Sequence, residues 1–350
     1  MSAGAALAGQ VTIQRWDRLS RLFTGVVLLL LVGLTLLPMA YGPATTDKLT
    51  TLFVLIILAV MWNALAGFGG LVSVGQQAFI GIGAYATIAL SEQGINAYVA
   101  VVLAALVAGL IALPTSFLVF RLSGGQFAIG MWVVAEALRL VVGQFESLGG
   151  GTGKSLTTLN VYEPAVRQAN TYWLALALMA ILLTLVLVLL RSRLGSALQA
   201  IRDDEVGAAS LGVRVTSAKR LLFLLAAVGC GAAGALLVAQ TLRVQPDSIF
   251  GVEWTAYMIF MVLLGGLGTF EGPIIGALLF FGIQEQFADE GSWYLIGLGL
   301  VAIAMTIVAP RGVWGTVVDR FAVRLVPIGY RLGGLPEPLP RRDPGGERGS

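Results

Sequence analysis

The sequence predicts an all-α fold, a polytopic transmembrane helix bundle of about ten spans. Three observations predict it. Of 350 residues, 57% are hydrophobic and only 12% charged, with a mean hydropathy of +0.87, against about 25% charged in a soluble domain. Apolar runs near 20 residues recur, the length that crosses about 30 Å of hydrocarbon. The basic residues sort to one side of those runs. A soluble enzyme, a disordered chain and a disulfide scaffold are excluded, because so much apolar surface could not be hidden in a soluble fold.

The runs fall at 22–40, 49–66, 71–90, 97–120, 127–142, 172–190, 221–240, 252–264, 273–284 and 293–309. The first follows Arg15, Arg18 and Arg21 like a secretory n-region, but it is too long for one and no A-x-A site closes it, so a retained helix is expected. The third is Gly-rich and the eighth and ninth are short, which predicts broken, tilted or partial crossings. An even number of spans puts both termini on one side. With that side inward, the inner segments hold Arg15, Arg18, Arg21, Arg121, Arg191, Arg193, Arg202, Arg214, Lys219, Arg220 and the seven arginines from Arg311 to Arg348, which is 17 of the 22 basic residues. The outer segments hold Lys48, Lys154, Arg167 and Arg243. This is the positive-inside pattern, and both termini are expected in the cytoplasm. The expected domains are an N-terminal tail 1–21, a permease domain 22–315 with an external loop 144–171 and an inner loop 191–220, and a partly disordered C-terminal tail 316–350.

There is no histidine, which removes imidazole bases, Ser-His-Asp triads and His-ligated metals. The single Cys230 makes no internal disulfide. No catalytic residue and no metal site are expected. Gly149–Ser155 imitates a phosphate loop, but Leu148 stands where its first glycine belongs, so a flexible external loop is expected. Gly81-Ile82-Gly83-Ala84-Tyr85-Ala86 matches a dinucleotide pattern without any strand beside it. Gly81, Gly83, Gly268, Gly272 and Gly276 are read as helix-packing positions. Gly69–Ser73 and Gly265–Thr269 echo each other, through duplicated halves or by chance.

Three features carry candidate function. Glu136 and Arg139, three apart in the fifth span, share a helix face at membrane depth. They are either a structural ion pair or part of a solute path. Ser73, Gln76 and Gln77, ahead of Phe79, either bind solute at a broken helix or bond neighbouring helices. The loop 191–220 places Leu194, Leu198 and Ile201 on one helical face, offers Asp203 or Asp204 as a cap for a second short helix, and ends that helix at Gly212. Gly207, Ala208 and Ala209 are expected to be exposed between charges, as a knob for another protein. Three successive acids, Asp203, Asp204 and Glu205, argue against an anionic lipid surface.

Six blocks, in order, resemble the LivM-type permease subunit of branched-chain amino acid ABC importers. They are Gly69–Tyr85, Phe127–Ile129 with Ala135–Arg139, Gly150–Gly153, Arg191–Gly212, Leu263–Ala277 and Pro310–Gly315. The related urea permeases share much of this architecture, while the Asp203–Gly212 stretch is more similar to the amino-acid branch. The resemblance implies a non-enzymatic importer half in the bacterial inner membrane. It implies a homologous permease partner in a heterodimer, two cytoplasmic ATPase subunits that hold the ATP and Mg, and an external solute-binding protein. Besides membrane lipid, no other partner is expected, and no nucleic acid. It places the ATPase contact on Ala200, Arg202, Asp203, Asp204, Glu205, Ala208, Ala209, Leu211 and Gly212. The importer pattern E-A-A-x-x-x-G, counted back from Gly212, falls on Val206, Gly207 and Ala208, so the glutamate is displaced to Glu205. The rival reading is an ion-coupled secondary transporter or channel that uses Glu136.

Overall fold

The computed structural model describes residues 12–14, 18–287, 292–309, 311–321 and 331–333. Hydrocarbon offers the backbone no hydrogen bonds, so long apolar runs fold as helices that satisfy themselves. In order these are α1 (Arg18–Ala40), α2 (Pro43–Asn63), α3 (Gln77–Glu92), α4 (Ala97–Val119), α5 (Gly125–Gln144), α6 (Pro164–Arg191), α7 (Arg193–Asp203), α8 (Glu205–Ser210), α9 (Val215–Thr241), α10 (Pro246–Ile249), α11 (Glu253–Gly265), α12 (Gly272–Phe287), α13 (Ser292–Val308) and α14 (Gly312–Phe321). A helix stands at each of the ten expected places.

Among the described residues, six stretches are long and apolar enough to cross a membrane: Pro43–Phe68, Ala97–Val119, Gly125–Gln144, Pro164–Arg191, Val215–Thr241 and Pro246–Gly265. The chain is a multi-pass membrane protein. The three irregular spans have distinct causes. α3 starts only at Gln77, after an extended stretch. The eighth crossing is made in two pieces, α10 and α11, and begins earlier than the apolar run suggests. α12 has 16 residues.

Burial orders the bundle. The apolar window of α2 with its extension is 89% buried and that of α9 is 78% buried, while that of α5 is only 22% buried. α2 and α9 therefore form the centre. α2 packs against α6, α9, α11 and α12, and α9 packs against α3 and α4. Small residues make the second set of contacts close. A Cβ on Gly83 would lie 2.0 Å from the Gly231 carbonyl oxygen, and one on Gly234 would lie 1.9 Å from that of Ile80. Ala100, Ala104 and Ala108 of α4 are fully buried on the same side. Between apolar helices in lipid, such backbone proximity supplies the attraction that water supplies elsewhere.

The bundle has two distinct ends. At one end, β2 (Lys154–Ser155) pairs antiparallel with β3 (Arg243–Val244), and Leu156 N donates to Leu242 O at 2.8 Å. Lys154 Nζ donates to Glu92 at 2.7 Å, and Lys48 pairs with Glu285. The loop 144–171, expected to be flexible, is thus held in place by a strand pair and by short 3-10 turns. The other end carries α7, α8 and the turns at 120–124 and 266–271.

β1 (Thr12–Gln14) pairs antiparallel with β4 (Arg331–Gly333). The expected tail boundary at 315/316 falls inside α14, because that helix runs on to Phe321. The remainder of the two tails, with its expected disorder, lies outside the described residues.

Gly83→Ala should destabilise the bundle by about 1–3 kcal/mol through overpacking. Gly282→Ala, with nothing within 4 Å of the added Cβ, should be neutral or stabilise it by about 0.5–1 kcal/mol. Thermal unfolding of the two variants in detergent checks the contrast.

Candidate functional site

The inner loop folds as a two-helix knob. Ser192 caps α7, accepting from Leu194 N at 3.2 Å. Leu198 and Ile201 are 0% and 3% exposed, so the predicted apolar face is packed against the bundle. Asp204 caps α8, accepting from Val206 N and Gly207 N, both at 3.0 Å. The chain then turns at Gly212, where φ is +83°. Val213 N returns to Ala208 O at 3.1 Å, which closes the last turn in the left-handed manner that glycine permits. Lys219 Nζ of α9 donates to Glu205 at 2.6 Å and steadies the knob from beneath.

One expectation for this knob is corrected. Ala208 is 3% exposed. It faces the bundle because α8 rests on α9, so it is not available to a partner. The outer surface is made instead by Ala200, Asp203, Asp204, Glu205, Val206, Ala209, Leu211 and Gly212. Val206 and Leu211 are 76% and 85% exposed, two apolar side chains framed by acids. Beside them lies a cavity of about 490 Å³ lined by Gly70, Val72, Arg121, Ser123, Glu205 and Lys219, among others.

Arg202 belongs to both sides of the knob. Its Nε and Nη2 donate to Asp203 at 3.0 and 2.9 Å. Its Nη1 donates inward to the Gly67 carbonyl at 2.8 Å. Gly67 lies in the wide π turn, Ala64–Phe68, that ends α2. Asn63, just before it, donates from Nδ2 to Thr269 O at 2.8 Å and accepts from Gly268 N at 2.9 Å. The knob, the central helix α2 and the α11–α12 turn therefore meet at one point. The turn needs glycine there, since Gly268 has φ +76°. The two echoing Gly-rich stretches lie on either side of this junction.

The polar cluster of the third span lies inside the bundle. Residues 70–76 run inward without helix, and Ser73, Gln76 and Gln77 are 0%, 0% and 1% exposed. Every polar group has a near partner. Trp62 Nε1 donates to Ser73 O at 2.9 Å and Gln76 Nε2 to Ser73 Oγ at 3.1 Å. Cys230 Sγ donates to Gln76 Oε1 at 3.6 Å, and Thr255 of α11 donates to Gln77 Oε1. These side chains tie α2, α3, α9 and α11 together. Phe79 is fully buried and edge-on to Phe223, with centroids 5.4 Å apart, a core contact.

Glu136 and Arg139 do pair. Arg139 Nε lies 3.1 and 3.0 Å from the two Glu136 oxygens. A third charge, missed in the sequence, completes the group: Arg139 Nη1 also donates to Asp247 of α10. The face is open, with the Glu136 and Asp247 side chains 50% and 79% exposed. Of the packing glycines, Gly81 lies against the Phe250 ring, Gly83 against Gly231, Gly276 against Met261 O and Gly272 against Gly266 O, while Gly268 serves the turn.

Asn63 was legible as the one amide in a long apolar run. Thr255 and Asp247 carried no such signal, because only the fold brings them to their partners. Asn63→Ala would leave the part-buried Gly268 N–H and Thr269 carbonyl without this partner, at a cost of about 1 kcal/mol. A lowered melting temperature in detergent is expected.

The profile of the family described as the permease component of branched-chain amino acid transport systems matches residues 45–310. The high-affinity branched-chain amino acid transport system permease protein LivM of Salmonella typhimurium is 30% identical over 302 residues, 79% of this chain and 71% of the relative. The protein of the same name in Escherichia coli is 30% identical over 315 residues, 81% of this chain and 74% of the relative. Among solved structures, PsaBC from Streptococcus pneumoniae in complex with Fab overlaps 80% of this chain and 96% of that one, at 11% identity and a TM-score of 0.46. With the profile spanning the bundle from α2 through α13 and two relatives aligned over most of their length, this chain belongs to the branched-chain amino acid transport system permease family.

Proposed function

We propose that this chain is the membrane permease subunit of an ABC importer for branched-chain amino acids, driven by ATP hydrolysed in separate subunits. The observation that carries the reading is the knob. An apolar pair, Val206 and Leu211, stands exposed in an acidic rim, on two short helices whose other face is locked to the bundle core. Such a surface suits a groove on a cytoplasmic ATPase. Arg202 and Lys219 beneath it convert a push on the knob into a push on α2 and α9. Alternating access needs that kind of docked lever on a two-state bundle.

The partners that follow are a homologous permease in a heterodimer, two ATPase subunits holding ATP and Mg, and an external solute-binding protein. The chain itself performs no covalent chemistry. The knob end carries Arg121, Arg193, Arg202, Arg214, Lys219 and Arg220, which supports placing it, and both termini, on the cytoplasmic side of a bacterial inner membrane. The permease domain runs from α1 through α14, with 144–171 external and 191–220 coupling. The rival ion-coupled reading asks Glu136 to exchange a proton or cation, but its carboxylate is already held by Arg139 on the same helix.

Proteoliposomes test the reading directly. Uptake of leucine should require the ATPase subunits and ATP. Gly212→Val, which forces a branched residue into φ +83°, should reduce uptake at least tenfold while membrane insertion is retained. Uptake by this chain alone on an ion gradient would sink the proposal.

A further inference from the structure

Glu136, Arg139 and Asp247 present a problem that helix packing does not solve. Glu136 lies eight residues from the C-terminal end of α5, about 12 Å along the axis, so it sits well within the membrane band. Arg139 lies one turn nearer that end and Asp247 in the first turn of the crossing Pro246–Gly265, so the group descends into the membrane from its surface, and charges so placed face a cavity or another protein rather than lipid. Glu136 and Asp247 are the most open of the three.

The chemistry of the group is incomplete in an informative way. Arg139 gives its Nε and one Nη2 hydrogen to Glu136 and one Nη1 hydrogen to Asp247. A guanidinium has five donors, so one N–H on Nη1 and one on Nη2 remain for a carboxylate. The two acids outnumber the one base, so Asp247 can accept an ammonium without stranding Arg139, which keeps Glu136. A second, independent observation adjoins them. The Tyr85 hydroxyl of α3 is buried and finds no hydrogen-bond partner among the described residues. Asp247 lies near enough to act on it electrostatically. The Tyr85 ring stacks on Phe250, three residues beyond Asp247, at 6.2 Å between centroids. Trp132, one helical turn before Glu136 on the same face, is 51% exposed and offers an apolar surface.

From this arrangement we infer that Arg139 and Asp247, with Glu136 and Tyr85 in support, form a site for the zwitterionic head of an α-amino acid. The solute carboxylate binds the spare guanidinium N–H groups, its ammonium binds Asp247, and its side chain lies toward Trp132. Each charge of the solute meets an opposite charge, so none is bare at membrane depth. The inference rests on the importer reading for its solute class and adds to it the place where this chain holds that solute.

Photo-leucine, a diazirine amino acid, tests it on the assembled transporter in detergent. Label is expected on the peptides spanning 132–139 or 247–254, reduced at least tenfold in Asp247→Asn and Arg139→Gln and less in Asp247→Glu. On the wild type alone, excess L-leucine should suppress the label, whereas 3-methylbutylamine, which lacks the carboxylate, and 4-methyl-2-oxopentanoate, which lacks the ammonium, should not. Label elsewhere in a complex that imports leucine, full label in both neutralised variants, or equal competition by the amine overturns the site and leaves the importer reading standing. A wild-type complex that hydrolyses ATP yet imports no branched-chain amino acid overturns the importer reading, and the labelling pattern then decides the site alone. Should either variant fail to assemble, the competition series on the wild type decides whether the site stands.

Discussion

The constraint on which this structure depends is that a peptide group inside hydrocarbon must find its hydrogen bond within the protein. Most of the chain meets it by staying helical. The stretch between α2 and α3 does not, and the core is arranged to compensate. Leu71 N returns to Leu65 O at 2.9 Å, Trp62 reaches the Ser73 carbonyl, and the amides of Gln76 and Gln77 engage Ser73 Oγ and Val74 O. Remove those partners and the inward-running segment would have to become helix or leave the bundle. The centrality of α2 follows, since it supplies the indole and the turn against which the segment is folded.

The same helix explains how the inner end is joined to the interior. Arg202 of the knob reaches the backbone at the end of α2, and it does so at the turn where that helix is widest. Asn63 fastens the next level to the α11–α12 turn. The knob is thereby bonded, through the end of α2, to a turn that is distant in sequence and adjacent in space. The alternative route, through Lys219 and Glu205, leads to α9. Both central helices are connected to the surface that the proposed ATPase would hold.

Much of the fold was legible because bilayer thickness imposes a length and lipid imposes a composition. All ten helices fall where the apolar runs lie, and Gly212 as the end of the knob follows from local backbone chemistry, while the choice of Asp204 over Asp203 as its cap needed the structure. What was not legible depends on tertiary proximity. Ala208 looks like its neighbours Gly207 and Ala209 in one dimension, and only the packing of α8 on α9 turns it inward. Ser73, Gln76 and Gln77 are read from the sequence either as lining a path or as bonding helices, and their bonds to Trp62, Cys230 and Thr255 depend on neighbours that no local pattern names. Asp247 sits between two spans, next to a proline, in a context that reads as a loop. Its importance comes from α10 lying against α5, which no periodicity announces.

The wide turn at Ala64–Phe68 has a mechanical consequence. It carries a surplus residue compared with a regular helix of the same height. If that surplus travels along α2, the residues between its old and new places shift by about 1.5 Å and rotate by about 100°. Such a shift comes in whole residues, like a gear advancing one tooth. Arg202 donates to Gly67 inside this turn, so the surface knob is bonded to the one place in α2 where such a step can start.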